Sequence, residues 1–390
     1  MNLRKHILPL FSLILLSCST ISEKNNNNEA NSQNSKALTS TGNIEFPLDS
    51  LTGFKSLSFS IDHLNDSSET VSFINRQTNS LYVYSLANKQ VEKIHKFDMQ
   101  GPKGVGALAA GSHLIHNRDS IFIYNPNLGT LFLFNGDTQL TNKFKIVDFN
   151  NSNLQIIPEP IGLAKFQIVG KEIFFPSTLA QPLNDYSNTP SQTIVNIVTG
   201  AIRYDFVFPK IYSEAYWGGS FKYFSTLAFD GQNILINFPI DENIHIRNIE
   251  NQTNSKAKIP SNQISAFEPM DEDIKFGTKP RDDSFYQKQD LYSFSNSDFA
   301  GLLYDQFRNV YYRIVYARPT LEEVKGGDWI PDISIITFNQ QFQILSEILL
   351  EKEKYDPSMI GVSKDGLLIA RKDLYSNDEN NLTLEIFKLQ

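Results

Sequence analysis

Few residues in this chain have types and spacings that could do chemistry, and most of them weigh against it. His113 and His116 lie three apart, which on a strand points them to opposite faces, so joint metal ligation would need a bend. Asp271-Glu272-Asp273 and Asp282-Asp283 could draw Ca²⁺, but calcium loops alternate their oxygen ligands around a glycine turn that these runs lack. The stretch Gly101-Pro102-Lys103-Gly104-Val105-Gly106 has the glycines of a phosphate cradle, yet it leads into a strand and not onto a helix N-terminus. No Gly-x-Ser-x-Gly elbow occurs. The acids Asp62, Asp230, Asp305 and Asp365 stand where strands turn, the ordinary place for capping carboxylates. We therefore expect no catalytic residue, no metal and no cofactor.

Recognition has better candidates. Tyr216 and Trp217 precede Gly218-Gly219, Arg281 and Tyr286 lie in the longest insert, and Arg313, Tyr316, Arg318 and Trp329 belong to a later unit. Aromatic faces stack on sugars and peptides, and forked guanidinium donors hold carboxylates. The competing expectation is that these aromatics pack beneath their own loops as small satellite cores. Trp217, beside two glycines, is the expected exposed platform. A glycan, a peptide or an envelope protein is the expected partner. The alternative is an envelope hydrolase or lyase with its site in a central channel.

Those residues act together only if the elements carrying them share a face. One pattern recurs six times: a strand of small residues, a tight turn, an intensely apolar strand, a third strand and an amphipathic fourth. The second strands are clearest, at residues 71–74, 121–124, 173–175, 234–236, 310–312 and 367–369. Apolar runs without alternation mean burial on both faces, as for the middle strands of sheets stacked around a ring. The first strands are expected at 57–61, 106–110, 162–166, 224–228, 299–303 and 359–362. The sixth unit lacks a fourth strand, and Ile44 to Leu48 is the natural substitute, lying beside 382–386. The expected fold is an all-β, six-bladed propeller closed by the N-terminal strand. Seven blades is the alternative, should 264–294 hold a divergent one.

Loop lengths then separate two rims. Connections from first to second strand are tight, as at Asn117-Arg118-Asp119 and Asp230-Gly231-Gln232. Connections on the other face are long, at 176–192, 209–223, 260–297 and 316–331. Long loops on one rim of a rigid scaffold are the usual place for recognition, so the long-loop rim is the expected binding face.

The Gly101 to Gly106 stretch and the segment HNRDSIFIY at His116 to Tyr124 resemble those of a family of uncharacterised bacterial envelope lipoproteins. The resemblance implies a six-bladed propeller and an envelope location, and it implies no activity.

The N-terminus fits that location. Residues 1–17 have a basic start (Arg4, Lys5) and an apolar run at 7–16, shorter than the roughly 20 residues that cross a bilayer. Leu15-Leu16-Ser17-Cys18 resembles the lipobox, which implies that Cys18 is lipidated and becomes the first mature residue. Cys18 is the only cysteine, so no intrachain disulfide forms. Residues 18–43 are rich in Asn and Ser and poor in large apolar groups, and are expected to be a disordered linker before a propeller domain at 44–390. Ser19 is not acidic, so an outer-membrane location is expected, on its periplasmic side or at the cell surface. Loss of Arg4 and Lys5 would take the formal charge from -8 to -10. An acidic domain without a basic stripe argues against nucleic acid.

Overall fold

The structure is a computed structural model that describes residues 37–53, 58–64, 67–151, 156–179, 186–270 and 282–390. Cys18, Arg281 and Asp271 to Asp273 fall outside the described residues. Six antiparallel sheets follow one another along the chain as the blades of a propeller. Blade 1 runs from Phe59–His63 through Glu69–Asn75 and Ser80–Ser85 to Val91–Lys96. Blades 2, 4 and 5 repeat that order, and their outer strands end the sequence of four. Each expected second strand falls inside an observed one and is buried on both faces, as in Val310–Ala317 and Gly366–Arg371. Outer strands such as Leu140–Lys145 and Asn254–Lys258 are mostly exposed.

The core is not one mass but six. Each hydrophobic cluster lies between two neighbouring blades; Val71, Phe73 and Tyr84 of blade 1, for example, meet Leu368 and Leu384 of blade 6. Every blade is thus stabilised only by its neighbours, and the ring depends on being closed.

Closure is by the N-terminal strand, as expected, but the strand is longer. Leu38–Pro47 pairs antiparallel with Asn381–Leu389, from Leu38 opposite Leu389 to Pro47 opposite Asn381. Ala37 and Gln390 add a reciprocal pair of backbone hydrogen bonds at 2.9 and 3.0 Å. Residues 38–43, read from composition as linker, therefore belong to the sheet. Leu38 is buried against blades 5 and 6, and a bulge between Ser40 and Gly42 lets the register continue.

Two innermost strands depart from the expected positions, and both departures shape the axis. In blade 2 the strand is Ser112–Asn117 and not 106–110. Residues 105–108 are instead held as irregular backbone: Asn125 Nδ2 donates to the carbonyls of Val105 and Ala107 at 2.7 and 3.1 Å, and Asn79 Oδ1 accepts from the Leu108 N–H at 2.8 Å. Gly106 there has φ +73°, a conformation that suits glycine. In blade 3 the inner edge is split into Ile156–Pro158 and Gln167–Val169, both paired to Glu172–Leu179. Residues 159–166 leave the sheet between them, closed by an Ile161 to Ala164 bridge.

That excursion crosses the ring. Leu163 joins the cluster between blades 5 and 6, and a Cβ on Gly301 of blade 5 would lie 2.8 Å from its Cδ1. The turn therefore stoppers the axis toward the long-loop rim, and leaves the axial space open toward the short turns.

Candidate functional site

Inner strands run from the long-loop rim to the short-turn face, so their last residues line the lower axis. Ile61, Leu114, Ile168, Phe229, Leu303 and Val362, one from each blade, wall a cavity of about 380 Å³ there. The size falls within the range of small-molecule sites, roughly 300–1,000 Å³. Asp62, His113 and Lys165 supply its polar floor, from blades 1, 2 and 3.

His113 has both ring nitrogens taken up by the protein, and Asp62 has one oxygen so engaged. Asp62 is buried, and its Oδ2 accepts from Ser72 Oγ. His113 Nε2 lies 2.7 Å from Ser72 Oγ and Nδ1 2.6 Å from Ser58 Oγ. Because Ser72 gives its proton to Asp62, it must accept from His113 Nε2–H, which leaves Nδ1 to accept from Ser58. Burial, with Lys165 nearby, lowers the His113 pKa to about 3, so the ring is neutral and serves as a tie between blades 1 and 2. Burial raises the Asp62 pKa against the opposing pull of its serine partners and of Lys165.

Asp62, Ser72 and His113 are the residue types of a hydrolase triad in the wrong order. The serine sits between acid and base, on a fully buried second strand, where its hydroxyl cannot reach a substrate. The arrangement builds no nucleophile.

Lys165 differs. It arrives at the axis on the blade 3 excursion, with Nζ 5.6 Å from the centre of the Phe59 ring. Its ammonium makes no hydrogen bond to any described residue and no ion pair within 4.0 Å. Burial lowers its pKa to about 8, with Asp62 pulling the other way, so most of it stays protonated at neutral pH. A lysine in an apolar inner wall was the signal in the sequence, at Gly162-Leu163-Ala164-Lys165-Phe166. It passes for a solvent residue because the excursion that turns it inward cannot be read from composition.

The long-loop rim holds the residues expected to bind, and most are packing residues. Trp217 is 3% exposed, in a cluster with Tyr212, Tyr223 and Phe238, and its indole N–H donates to Ile211 O at 2.9 Å. The exposed platform is thus corrected to a satellite core. Its replacement by alanine should cost about 3–5 kcal/mol of stability, read as a lower denaturant midpoint. Tyr216 is buried under the helix Asp283–Ser295, with its hydroxyl on Gln289 Oε1 at 2.7 Å. Asp282 caps that helix by accepting from Phe285 N–H at 3.0 Å, which is a structural role.

The arginines are ties as well. Arg313 is fully buried and reaches from blade 5 into blade 4, donating to Asn237 Oδ1 at 2.8 Å and to the carbonyls of Asp241, Glu242 and Ile259. Arg318 Nε and Lys222 Nζ both meet Asp298 Oδ2, at 2.6 and 2.5 Å. Tyr316 donates to Pro357 O at 3.1 Å. Only Tyr286 and Trp329, 47% and 40% exposed, present aromatic surface; Trp329 packs edge-on against Phe294. The rim brings Arg318 to 5.5 Å from the Tyr316 ring and, through Phe294, near Trp329, and it joins Tyr216 to Tyr286 through Phe285. These are packing contacts within the rim, whereas the axis gathers residues from all six blades.

Residues 35–349 match the model of a family described as a domain of unknown function, DUF4221. A crystal structure of a DUF4221 family member from Bacteroides vulgatus is 19% identical, with a TM-score of 0.78, covering 92% of this chain and 99% of that one. A Bacteroides fragilis structure titled "Putative exported protein" is 12% identical, with a TM-score of 0.55, covering 93% of this chain and 97% of that one. No curated protein matches.

Proposed function

We propose, for a chain that belongs to the DUF4221 family and takes no activity from it, an exported and lipid-tethered binding role with the ligand seated in the axial cavity. The observation that carries this reading is the Lys165 ammonium, unmatched by any described acceptor inside a cavity walled by every blade. Lys165 is half-buried with its ammonium open to the cavity, so a ligand that accepts from it gains a charge-assisted hydrogen bond. The lipobox at Cys18 and the exported relative support an envelope location, with Ser19 favouring the outer membrane. The lipid on Cys18 holds the protein to the membrane.

The rim has a second, weaker reading as a contact for a glycan, peptide or envelope protein, through Trp329 and Tyr286. A thermal-shift screen of small molecules separates the two. Hits should lose their stabilisation in Lys165→Met and keep it when Trp329 and Tyr286 are both replaced by alanine. The reverse pattern would move the site to the rim.

A further inference from the structure

We infer that the axial cavity takes a small monocarboxylic acid with an apolar body, its carboxylate on the Lys165 ammonium and its chain among the six apolar side chains. This rests on the axial reading above and adds the ligand's chemistry to it.

The polar floor decides the head group. Both His113 nitrogens are held by serines, and Asp62 accepts from Ser72 and brings only acceptor oxygens, so neither offers a free N–H donor to a ligand. Lys165 alone among these three has unfilled N–H donors. A ligand must therefore bring an acceptor, and an anionic one gives the stronger, charge-assisted bond. One ammonium suits a single negative charge. A phosphate would want forked arginines, a backbone nest or a helix N-terminus, and the cavity lining has no arginine and no helix.

The walls decide the body. Ile61, Leu114, Ile168, Phe229, Leu303 and Val362 give the cavity one apolar side chain from every blade, with Ser60, His63, His116, Gln167, Tyr304 and Gln306 between and beside them. An alkyl or aryl chain gains by burial against these six apolar side chains. The Leu163 stopper closes the other end, so a ligand enters from the short-turn face with its carboxylate leading.

Calorimetric titration of the full chain with hexanoate, hexanol and hexylamine tests this, because the three share one body and differ in the head. Hexanoate should bind at least about tenfold more tightly than hexanol, and hexylamine should not bind. Lys165→Met should remove the preference for hexanoate while hexanol still binds; Lys165→Gln repeats the test should the methionine variant fail to fold. Equal binding of hexanol and hexanoate, or a preference for hexylamine, overturns the carboxylate inference and leaves the cavity as the site. Absence of binding by all three also overturns it. If the hits of the small-molecule screen also survive Lys165→Met, the axial reading falls with it.

Discussion

A chain lacking residues 37–47 should lose its cooperative thermal transition and aggregate. The closing strand is one side of blade 6 and of the cores on both sides of it: Leu38 packs with blade 5 and 6 residues, and Ile44 and Phe46 pack with blade 1. Burial of three such side chains contributes roughly 5–9 kcal/mol, against a typical total stability of about 5–15 kcal/mol. Deletion also opens the full length of Asn381–Leu389 as an unpaired edge, which invites intermolecular pairing. A synthetic peptide spanning residues 36–48 should restore the transition when added in trans. An unchanged melting temperature after deletion would mean that the ring does not depend on closure. Phe46→Ala alone, at about 3–5 kcal/mol, gives a graded version of the same measurement.

The second large effect belongs to Asp298, at the start of the blade 5 inner strand. Its Oδ2 accepts from Lys222 of the segment before blade 4 and from Arg318 of the blade 5 rim, and all three side chains are nearly buried. Asp298→Asn leaves two cations in one dry site, and a loss of about 3–5 kcal/mol follows. Lys222→Met combined with Asp298→Asn should cost less than the sum of the two changes, because the pair is removed together. Burial pushes the Asp298 carboxyl up, but Arg318 and Lys222 more than reverse that and hold it below 3.8. A depressed carboxylate stabilises the fold above its unfolded pKa and loses that contribution as pH falls through the folded value. The wild type should therefore lose stability steeply below about pH 4, and Asp298→Asn should show a shallower acid limb in urea titrations at several pH values.

Much of the fold was legible because propeller physics writes itself into middle strands. Ile121 to Tyr124 or Leu367 to Ile369 must be apolar on both faces, since a blade lies on each side. The closing strand was legible from a missing partner in blade 6. Its true start was not, because Leu38 is a single apolar residue in a polar stretch and only its pocket between blades 5 and 6 gives it meaning. The inner strand of blade 2 was misplaced for a related reason. Small residues at 106–110 match a crowded axis, but Asn79 and Asn125 bind that backbone as a loop, and side-chain to backbone ties leave no periodicity in sequence.

The candidate site was legible in its parts and not in its place. His113 stands out by type, but its partners are Ser58 and Ser72 of the blade 1 region and not His116. Lys165 did not stand out, because its depth depends on residues 159–166 leaving one blade to touch another. The rim aromatics did stand out, and long loops must bury something: Tyr212, Trp217 and Tyr223 do so against Phe238. Aromatic content in a long loop therefore reports the loop's own core before it reports a ligand.

The central claim is that ligand binding occurs on the axis at Lys165, and a crystal structure of the protein soaked with hexanoate tests it most directly. The account predicts carboxylate density on Lys165 Nζ with the alkyl chain running past Ile168 and Leu303 toward the short-turn face. Density beside Trp329 and Tyr286 on the opposite rim, with the axial cavity holding only water, would contradict it.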